Sequence, residues 1–221
     1  VAVARLGANS TIFSAVGCDE VGSFILGELK RENVNTEFVL ELENWQSSFS
    51  SVLVDIDGDR QIVNYRKSLP ENAINCISNF PIYDAYLSDS RWSEAAIATL
   101  SLARKYKKPG ILDAEAPVSQ HAVEIASHVA FSMQGLRHFT NKDDLMASLK
   151  VIENDFNSWA CVTDGPNGVY FLEEGVLHNL PTPRIKAEDT LGAGDVWHGA
   201  FAVCLAEGKS EREAIKFSNL A

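Results

Sequence analysis

Short apolar segments alternate with amphipathic helical segments from Tyr83 onward, and this alternation constrains the fold more than any other feature. The predicted strands are Ala85–Leu87, Ile111–Leu112, Val129–Phe131, Ala160–Thr163 and Val169–Leu172. The predicted helices are Glu94–Lys105, Ser119–Ser127 and Asp143–Asn154. Strands that alternate with helices in this way form a mostly parallel sheet that helices cover on both faces. The sequence therefore predicts a three-layer α/β/α domain.

The carboxyl ends of the predicted strands mark the expected site. In open α/β sheets, ligands bind in the crevice beyond the carboxyl ends of the strands. Polar residues at or just past those ends are Asp89, Arg91, Asp113, Ser132 and Thr163. We expect the chemistry of the protein to take place at this edge of the sheet.

The amino-terminal part follows a different pattern. A strand is predicted over Ser10–Val16, and a turn leads from it into a helix that ends near Arg31. Apolar and polar residues then share two strands, Phe49–Asp55 and Arg60–Tyr65, joined by the turn Asp57-Gly58. We interpret this hairpin as a small β lid over residues 44–66, inserted into a core formed by residues 1–43 and 67–221.

Composition and charge exclude several classes of function. The net charge of −11 argues against a nucleic-acid partner. No apolar run approaches the ~20 residues that span a bilayer, and no segment has the pattern of a secretion signal. The four cysteines form no C-x-x-C pair, which argues against a zinc site and favours a reducing, cytoplasmic location. Both ends of the sequence fall in predicted helices, so we expect an internal stretch of a longer protein.

A glycine-rich run, Asp189-Thr-Leu-Gly-Ala-Gly-Asp195, precedes an apolar helix from Val196 to Ala206. Glycine and alanine leave the backbone N–H groups accessible, and the amino terminus of the helix attracts an anion. The Asp195 carboxylate would repel a phosphate, but it is well placed to take a proton from a hydroxyl that attacks one. The alternative role for Asp195 is that of an ordinary helix cap after a turn.

This run resembles the second signature of the PfkB, or ribokinase-like, carbohydrate kinases. The resemblance implies a ribokinase-like α/β/α fold and transfer of the γ-phosphoryl group of ATP to a sugar hydroxyl, with Mg²⁺ accompanying the ATP. It implies that Asp195 is the catalytic base and that the amides of Gly192, Ala193 and Gly194 stabilise the developing phosphate charge.

A second segment of the resemblance concerns the nucleotide. The residues Thr163, Gly165 and Gly168 look like the T-x-G-x-x-G loop with which this family meets ATP, and Thr190 is assigned to the same ligand. Taken alone, Asp-Gly-Pro-Asn-Gly is also a good hairpin turn, so both interpretations stay open here.

One expected motif is absent. Many family members carry Asn-x-x-Glu where this chain has Ser132 and Gly135, and that motif helps to position magnesium. We therefore name no protein ligand for Mg²⁺. Ketohexokinases and 6-deoxy-6-sulfofructose kinases also depart from the motif, so its absence narrows the choice of subfamily within the family.

Two residues bear on the sugar. Asn64 in the hairpin and Arg91 after a strand are similar to the residues with which sulfofructose kinases hold the sulfonate. An arginine suits an anionic group, but a surface arginine paired with Asp89 or Glu94 is the commoner case. The alternatives are a fructokinase or another neutral-sugar kinase, and a catalytically silent nucleotide- or sugar-binding protein. We also expect a homodimer through the lid.

His198 lies about one helical turn after Asp195. A proton relay between the two is conceivable, but we favour a histidine packed beneath the sheet.

Overall fold

The computed structural model describes residues 1–55, 60–69, 71–187 and 189–221. The predicted turn Asp57-Gly58 lies outside these residues. The chain divides into two compact units, one of Val1 and Val3–Ser78 and one of Ala2 and Asn79–Ala221. The predicted division into a core and a lid at residues 44–66 stays a prediction.

The first unit contains two small sheets. After a short helix α1 (Ala2–Arg5), strand β1 (Ser10–Gly17) pairs in parallel with β2 (Val34–Leu42), and helix α2 (Glu20–Arg31) connects them. Strands β3 (Phe49–Val54) and β4 (Arg60–Tyr65) form the predicted antiparallel hairpin. A 3₁₀ segment, Glu71–Asn79, follows.

Apolar side chains on both strands of the hairpin are exposed. These are Leu53, Val54, Ile62 and Val63, each at least half exposed. An apolar surface of this kind is compatible with an interface. Dimerisation through the hairpin stays a prediction.

The turn between β1 and α2 depends on Asp19. Its carboxylate accepts hydrogen bonds from the backbone N–H of Gly22 at 2.7 Å, from the backbone N–H of Ser47 at 2.8 Å and from the Ser47 hydroxyl at 2.7 Å. These bonds lower the pKa of the Asp19 carboxyl, and the bonds from Ser47 contribute most to the shift. One side chain thus caps α2 and holds the segment that leads to the hairpin.

Replacing Asp19 with alanine is expected to lower the melting temperature by several degrees, because three bonds are lost at once. The matched control is Asp144→Ala, which removes a helix cap whose carboxylate accepts one backbone bond, from Ala147. Thermal unfolding followed by circular dichroism measures both. An Asp19→Ala variant as stable as Asp144→Ala would contradict the prediction.

The second unit is built on a mixed sheet in the order β10-β9-β8-β7-β6-β5. Its strands are β5 (Tyr86–Ser88), β6 (Gly110–Ala114), β7 (His128–Ser132), β8 (Trp159–Thr163), β9 (Val169–Glu173) and β10 (Val176–Leu180). Strands β5 to β8 run parallel to one another, β9 runs antiparallel to β8, and β10 runs antiparallel to β9. The helices are α3 (Ser93–Tyr106), α4 (Gln120–Ile125), α5 (Met133–Thr140), α6 (Leu145–Phe156), α7 (Ala193–Ala206) and α8 (Glu211–Ser218).

Successive side chains of a strand point to opposite faces of its sheet, and here they enter two separate apolar cores. On β6, Leu112 and Ala114 pack with helices α3 to α6, whereas Ile111 packs with α7 and α8. Strands β7 and β8 alternate in the same way. The three-layer α/β/α arrangement with a mostly parallel sheet is therefore confirmed. Asp113, two residues after Ile111, falls on the α7 face.

The elements that the sequence pattern missed are β2, α5 and β10. Each is short or carries polar residues that interrupt its pattern; α5, for example, follows β7 directly, with Ser132 as its cap. Within the described residues, none of the helices combines the length and the hydropathy of a bilayer-spanning segment.

Candidate active site

The parallel strands of the second unit bring several predicted residues to one edge. Because β5 to β8 share one direction, their carboxyl ends lie side by side. Asp89 follows β5, Asp113 lies near the end of β6, Ser132 ends β7 and Thr163 ends β8. The predicted placement of these side chains at the ends of strands is confirmed.

The glycine-rich run forms the turn that starts α7. Gly192 adopts a left-handed conformation (φ 78°) as the amino-terminal cap, and its carbonyl accepts from the N–H of Val196 at 2.9 Å. The N–H of Ala193 donates to the Thr190 carbonyl at 3.2 Å, so in this conformation that amide is already engaged. The N–H groups of Gly194 and Asp195 make no hydrogen bond to the described residues. Unbonded N–H groups at the amino terminus of a helix are donors of the kind that can bind an anion.

The Asp195 carboxylate lies in the first turn of α7 and is exposed. A group that takes a proton from a substrate must be accessible in this way before the substrate binds. Its position places a carboxylate and the backbone N–H groups of Gly194 and Asp195 on the same helical turn.

The surroundings of Asp113 raise the pKa of its carboxyl. Burial raises its pKa, and the nearby carboxylates of Glu115, Asp195 and Asp89 raise it further, whereas His198 opposes the rise. Three other acidic side chains therefore lie within electrostatic range of Asp113. Such an accumulation of negative charge favours a cation or a shared proton.

His198 connects Asp113 to the start of α7. Its imidazole is 5% exposed, and Nδ1 lies 2.7 Å from the Gly194 carbonyl oxygen. Nε2 lies 3.5 Å from Oδ1 of Asp113 and has no hydrogen-bond partner among the described residues. The ring also packs edge-on against Trp197, with 5.2 Å between ring centroids. A buried polar atom without a partner costs about 1–3 kcal/mol, so this contact requires an explanation.

Glu115 is a site residue that sequence reasoning missed. The Ser132 hydroxyl donates to its carboxylate at 3.0 Å and also accepts from the N–H of Gly135 at 3.0 Å as the cap of α5. A Cβ on Gly135 would lie 2.2 Å from the Ala114 carbonyl oxygen, so glycine is required there. Ser132 and Gly135, which stand where many family members have Asn-x-x-Glu, thus hold the Glu115 carboxylate in place. The only signal in the sequence was an Asp-x-Glu spacing across the end of a strand.

The segment Thr163–Gly168 forms the turn of the antiparallel hairpin between β8 and β9. The Thr163 hydroxyl donates to the Phe131 carbonyl at 3.3 Å, and Gly165 and Gly168 have positive φ angles of 48° and 93°. The hairpin interpretation is therefore correct, and the turn projects from the same edge as Ser132. Contact with a nucleotide stays a prediction for Thr163, Gly165, Gly168 and Thr190.

Arg91 lies at the edge, exposed, just beyond β5. Its backbone N–H donates to Asp89 Oδ1 at 2.9 Å, and its Nη1 donates to the Ala116 carbonyl at 3.2 Å. The guanidinium thus lies against the loop that follows β6, at the residue directly after Glu115. This contact differs from the carboxylate pairing expected of an ordinary surface arginine.

Asn64 belongs to the first unit and lies on β4. Its side chain is exposed, and Oδ1 accepts from the Ser50 hydroxyl at 2.6 Å across the hairpin. Its predicted contact with a substrate stays a prediction.

No group of three or more His, Cys, Asp or Glu side chains is arranged to hold a metal ion within residues 1–55, 60–69, 71–187 and 189–221.

Comparisons with known proteins assign the chain to a family. The model of the pfkB family carbohydrate kinases matches residues 1–221. A protein of Arabidopsis thaliana named probable fructokinase-5 is 28% identical, over 99% of this chain and 76% of its own length. The crystal structure of a protein named a putative ribokinase, from Agrobacterium tumefaciens, has a TM-score of 0.88 at 32% identity and covers 100% of this chain and 74% of that one.

A further solved structure shows the fold alone. Ribokinase of Arabidopsis thaliana, complexed with ribose and ATP, has a TM-score of 0.81 at 20% identity and covers 100% of this chain and 76% of that one. The predicted family and the ribokinase-like fold are both confirmed. Because the family model matches the whole sequence, this chain belongs to the PfkB family of carbohydrate kinases and is a phosphotransferase that acts on a sugar.

Proposed function

We propose that the protein transfers the γ-phosphoryl group of ATP to a primary hydroxyl of a ketose or a ketose derivative, with Asp195 as the base. One observation carries the assignment of the base. The exposed carboxylate shares the first turn of α7 with the amides of Gly194 and Asp195, for which no described acceptor is present.

The reaction is an in-line displacement. Asp195 accepts the proton of the sugar hydroxyl while the hydroxyl oxygen bonds to the γ-phosphorus and the bond to the bridging oxygen of ADP breaks. The amides at the start of α7 and the helix dipole stabilise the charge on the transferring group. The Ala193 amide joins them only if it leaves the Thr190 carbonyl, which it contacts in the present conformation.

ATP is the phosphoryl donor in this proposal, bound by the Thr163–Gly168 turn and by Thr190. The solved ribokinase with ribose and ATP supports the choice of donor, since it shares the fold. Magnesium travels with ATP and neutralises charge on the phosphates when bound. The mutual repulsion that Asp113 experiences from Glu115, Asp195 and Asp89 fits a site that receives a cation with its nucleotide. We assign no protein ligand to the ion.

For the sugar, we propose an anionic ketose, 6-deoxy-6-sulfofructose, with Arg91 and Asn64 as its sulfonate contacts. The exposed guanidinium of Arg91 supports this choice, because a guanidinium can bind an anionic group through two nitrogens, and its Nη1 bonds to a carbonyl and not to a carboxylate. The acidic side chains near Asp113 oppose an anion, so an arginine is the group that makes its binding favourable.

A neutral ketose such as fructose is the second candidate. The contact from Arg91 to the Ala116 carbonyl gives the side chain a structural role that requires no anionic ligand. The fructokinase relative supports the same candidate. A silent binding protein is the weaker alternative, because a pure binder has no use for a carboxylate beside phosphate.

Replacing Arg91 with alanine separates the two sugar classes. We expect kcat/KM for 6-deoxy-6-sulfofructose to fall about 100-fold, since a charge-assisted contact is lost, and kcat/KM for fructose to change less than about threefold. Initial rates of ADP release measure both in the complete enzyme. Arg104→Ala, an exposed arginine near the end of α3, is the control. Equal losses for both sugars would contradict the anionic substrate.

A further inference from the structure

We propose that Asp113 and His198 form a positioning pair that holds the first turn of α7, and with it Gly194 and Asp195, against the end of β6. The inference rests on the proposed function, because it assigns importance to the location of Asp195. Neither residue contacts the sugar or the nucleotide in this proposal.

The first half of the pair is the contact between His198 and the helix. Since the Gly194 carbonyl can only accept, Nδ1 of His198 must carry a hydrogen to make the 2.7 Å bond. The ring therefore ties one turn of α7 to the residue directly before Asp195. Any tilt of the ring moves the carbonyl, and with it the peptide that leads to the base.

The second half is the contact between His198 and the sheet. Nε2 is buried, has no other described hydrogen-bond partner and faces Asp113 Oδ1 at 3.5 Å. A movement of about 0.6 Å would bring the two atoms to ordinary hydrogen-bond length. Asp113 itself is fixed on β6, on the face of the sheet that packs against α7.

One proton shared between Nε2 and Oδ1 completes the pair. Whether the proton is on the acid or on the ring, the net charge of the two side chains is zero. Burial and the carboxylates of Glu115, Asp195 and Asp89 all favour such a proton at Asp113. The pair thus places a strong structural contact beside Asp195 without adding a negative charge where the phosphoryl group arrives.

The same geometry argues against a direct proton relay from Asp195 to His198. Nδ1 already bonds to the Gly194 carbonyl, and Nε2 faces Asp113. Both ring nitrogens are therefore directed at groups other than the base.

The test is a set of variants of the complete enzyme, assayed with ATP and the sugar that it turns over best. His198→Phe keeps a ring of similar size next to Trp197 but removes both polar contacts. We expect its kcat to fall about 10- to 100-fold, with the KM values for ATP and sugar within about threefold, because only the geometry of the reacting groups is disturbed. The matched control is His128→Phe, a half-buried histidine at the start of β7, which packs against Trp159 and Phe201. We expect its kcat to match that of the wild type.

Substitutions of Asp113 identify what the acid contributes. Asp113→Ala should lose as much kcat as His198→Phe, and the double variant should lose no more than either single variant. Asp113→Asn should recover at least a third of the wild-type kcat, because an amide N–H can donate to Nε2 without carrying charge. An Asp113→Asn variant as impaired as Asp113→Ala would overturn the proposal, as would additive losses in the double variant.

A spectroscopic measurement covers the case in which the His198 variant does not fold. In protein labelled with ¹⁵N-histidine, the resonance of His198 Nε2 should shift in Asp113→Ala and move back towards its wild-type position in Asp113→Asn. No response of that resonance to Asp113→Ala would overturn the proposal. The measurement does not depend on turnover, so it separates failure of the pair from failure of Asp195 as the base.

Discussion

Replacing Asp195 with asparagine is expected to lower kcat by about 10³-fold while binding of ATP changes little. The amide has nearly the same shape as the carboxylate but cannot accept the proton of the sugar hydroxyl. General-base contributions are typically 10²–10⁴-fold, which sets the size of the effect. Steady-state rates of ADP release give kcat, and calorimetric titration with ATP gives the affinity.

The control for this variant is Asp144→Asn, which alters a carboxylate at the amino terminus of another helix, α6. It should keep wild-type kcat, since the Asp144 carboxylate caps α6 by accepting from the Ala147 N–H and is not part of the glycine-rich turn. Wild-type turnover in Asp195→Asn would refute the assignment of the base. A parallel loss of ATP affinity and turnover would instead place Asp195 among the groups that bind the nucleotide.

Replacing Gly168 with alanine is expected to produce the largest loss of stability among the variants considered. Gly168 has φ 93° and ψ −151°, a region that other residues essentially avoid at a cost of about 1–3 kcal/mol. A Cβ there would also lie 2.3 Å from the Leu180 carbonyl oxygen, and such a clash adds about 1–3 kcal/mol. At about 2–4 °C per kcal/mol, the melting temperature should fall by roughly 10 °C.

Gly175→Ala is the matched control for the backbone effect. Gly175 also has a positive φ, 74°, but a Cβ there would meet nothing within 4 Å. Its substitution should therefore cost about 1 kcal/mol, the ordinary price of a left-handed residue. Differential scanning calorimetry of both variants measures the difference. Equal melting temperatures would show that the contact with Leu180 relaxes, and would refute the steric part of the argument.

The strand-helix alternation was predictable because strands β5 to β9 are short apolar runs, and because turn residues separate β5 from α3 and β6 from α4. The pattern failed where polar residues occupy a strand, as in β2 with Asn35, Glu37 and Glu41. It also failed at α5, which begins directly after β7. Elements of these kinds are specified by pairing and packing, which a local pattern does not record.

For the site, local sequence was sufficient wherever the residues lie on one turn. The glycines, the start of α7 and the position of Asp195 are contained in seven consecutive letters, since backbone geometry over that distance follows from the residues themselves. Local sequence did not predict that the Ala193 amide bonds to the Thr190 carbonyl.

Local sequence did not predict the contacts of Asp113 with His198 and of Glu115 with Ser132. Each joins residues from different elements, and the order of strands in the sheet together with the face on which α7 packs brings them together. Chain-local chemistry thus specifies the glycine-rich turn and the candidate base. The contacts between different elements arise from long-range packing, because a side chain acquires a distant neighbour only when the whole sheet has assembled.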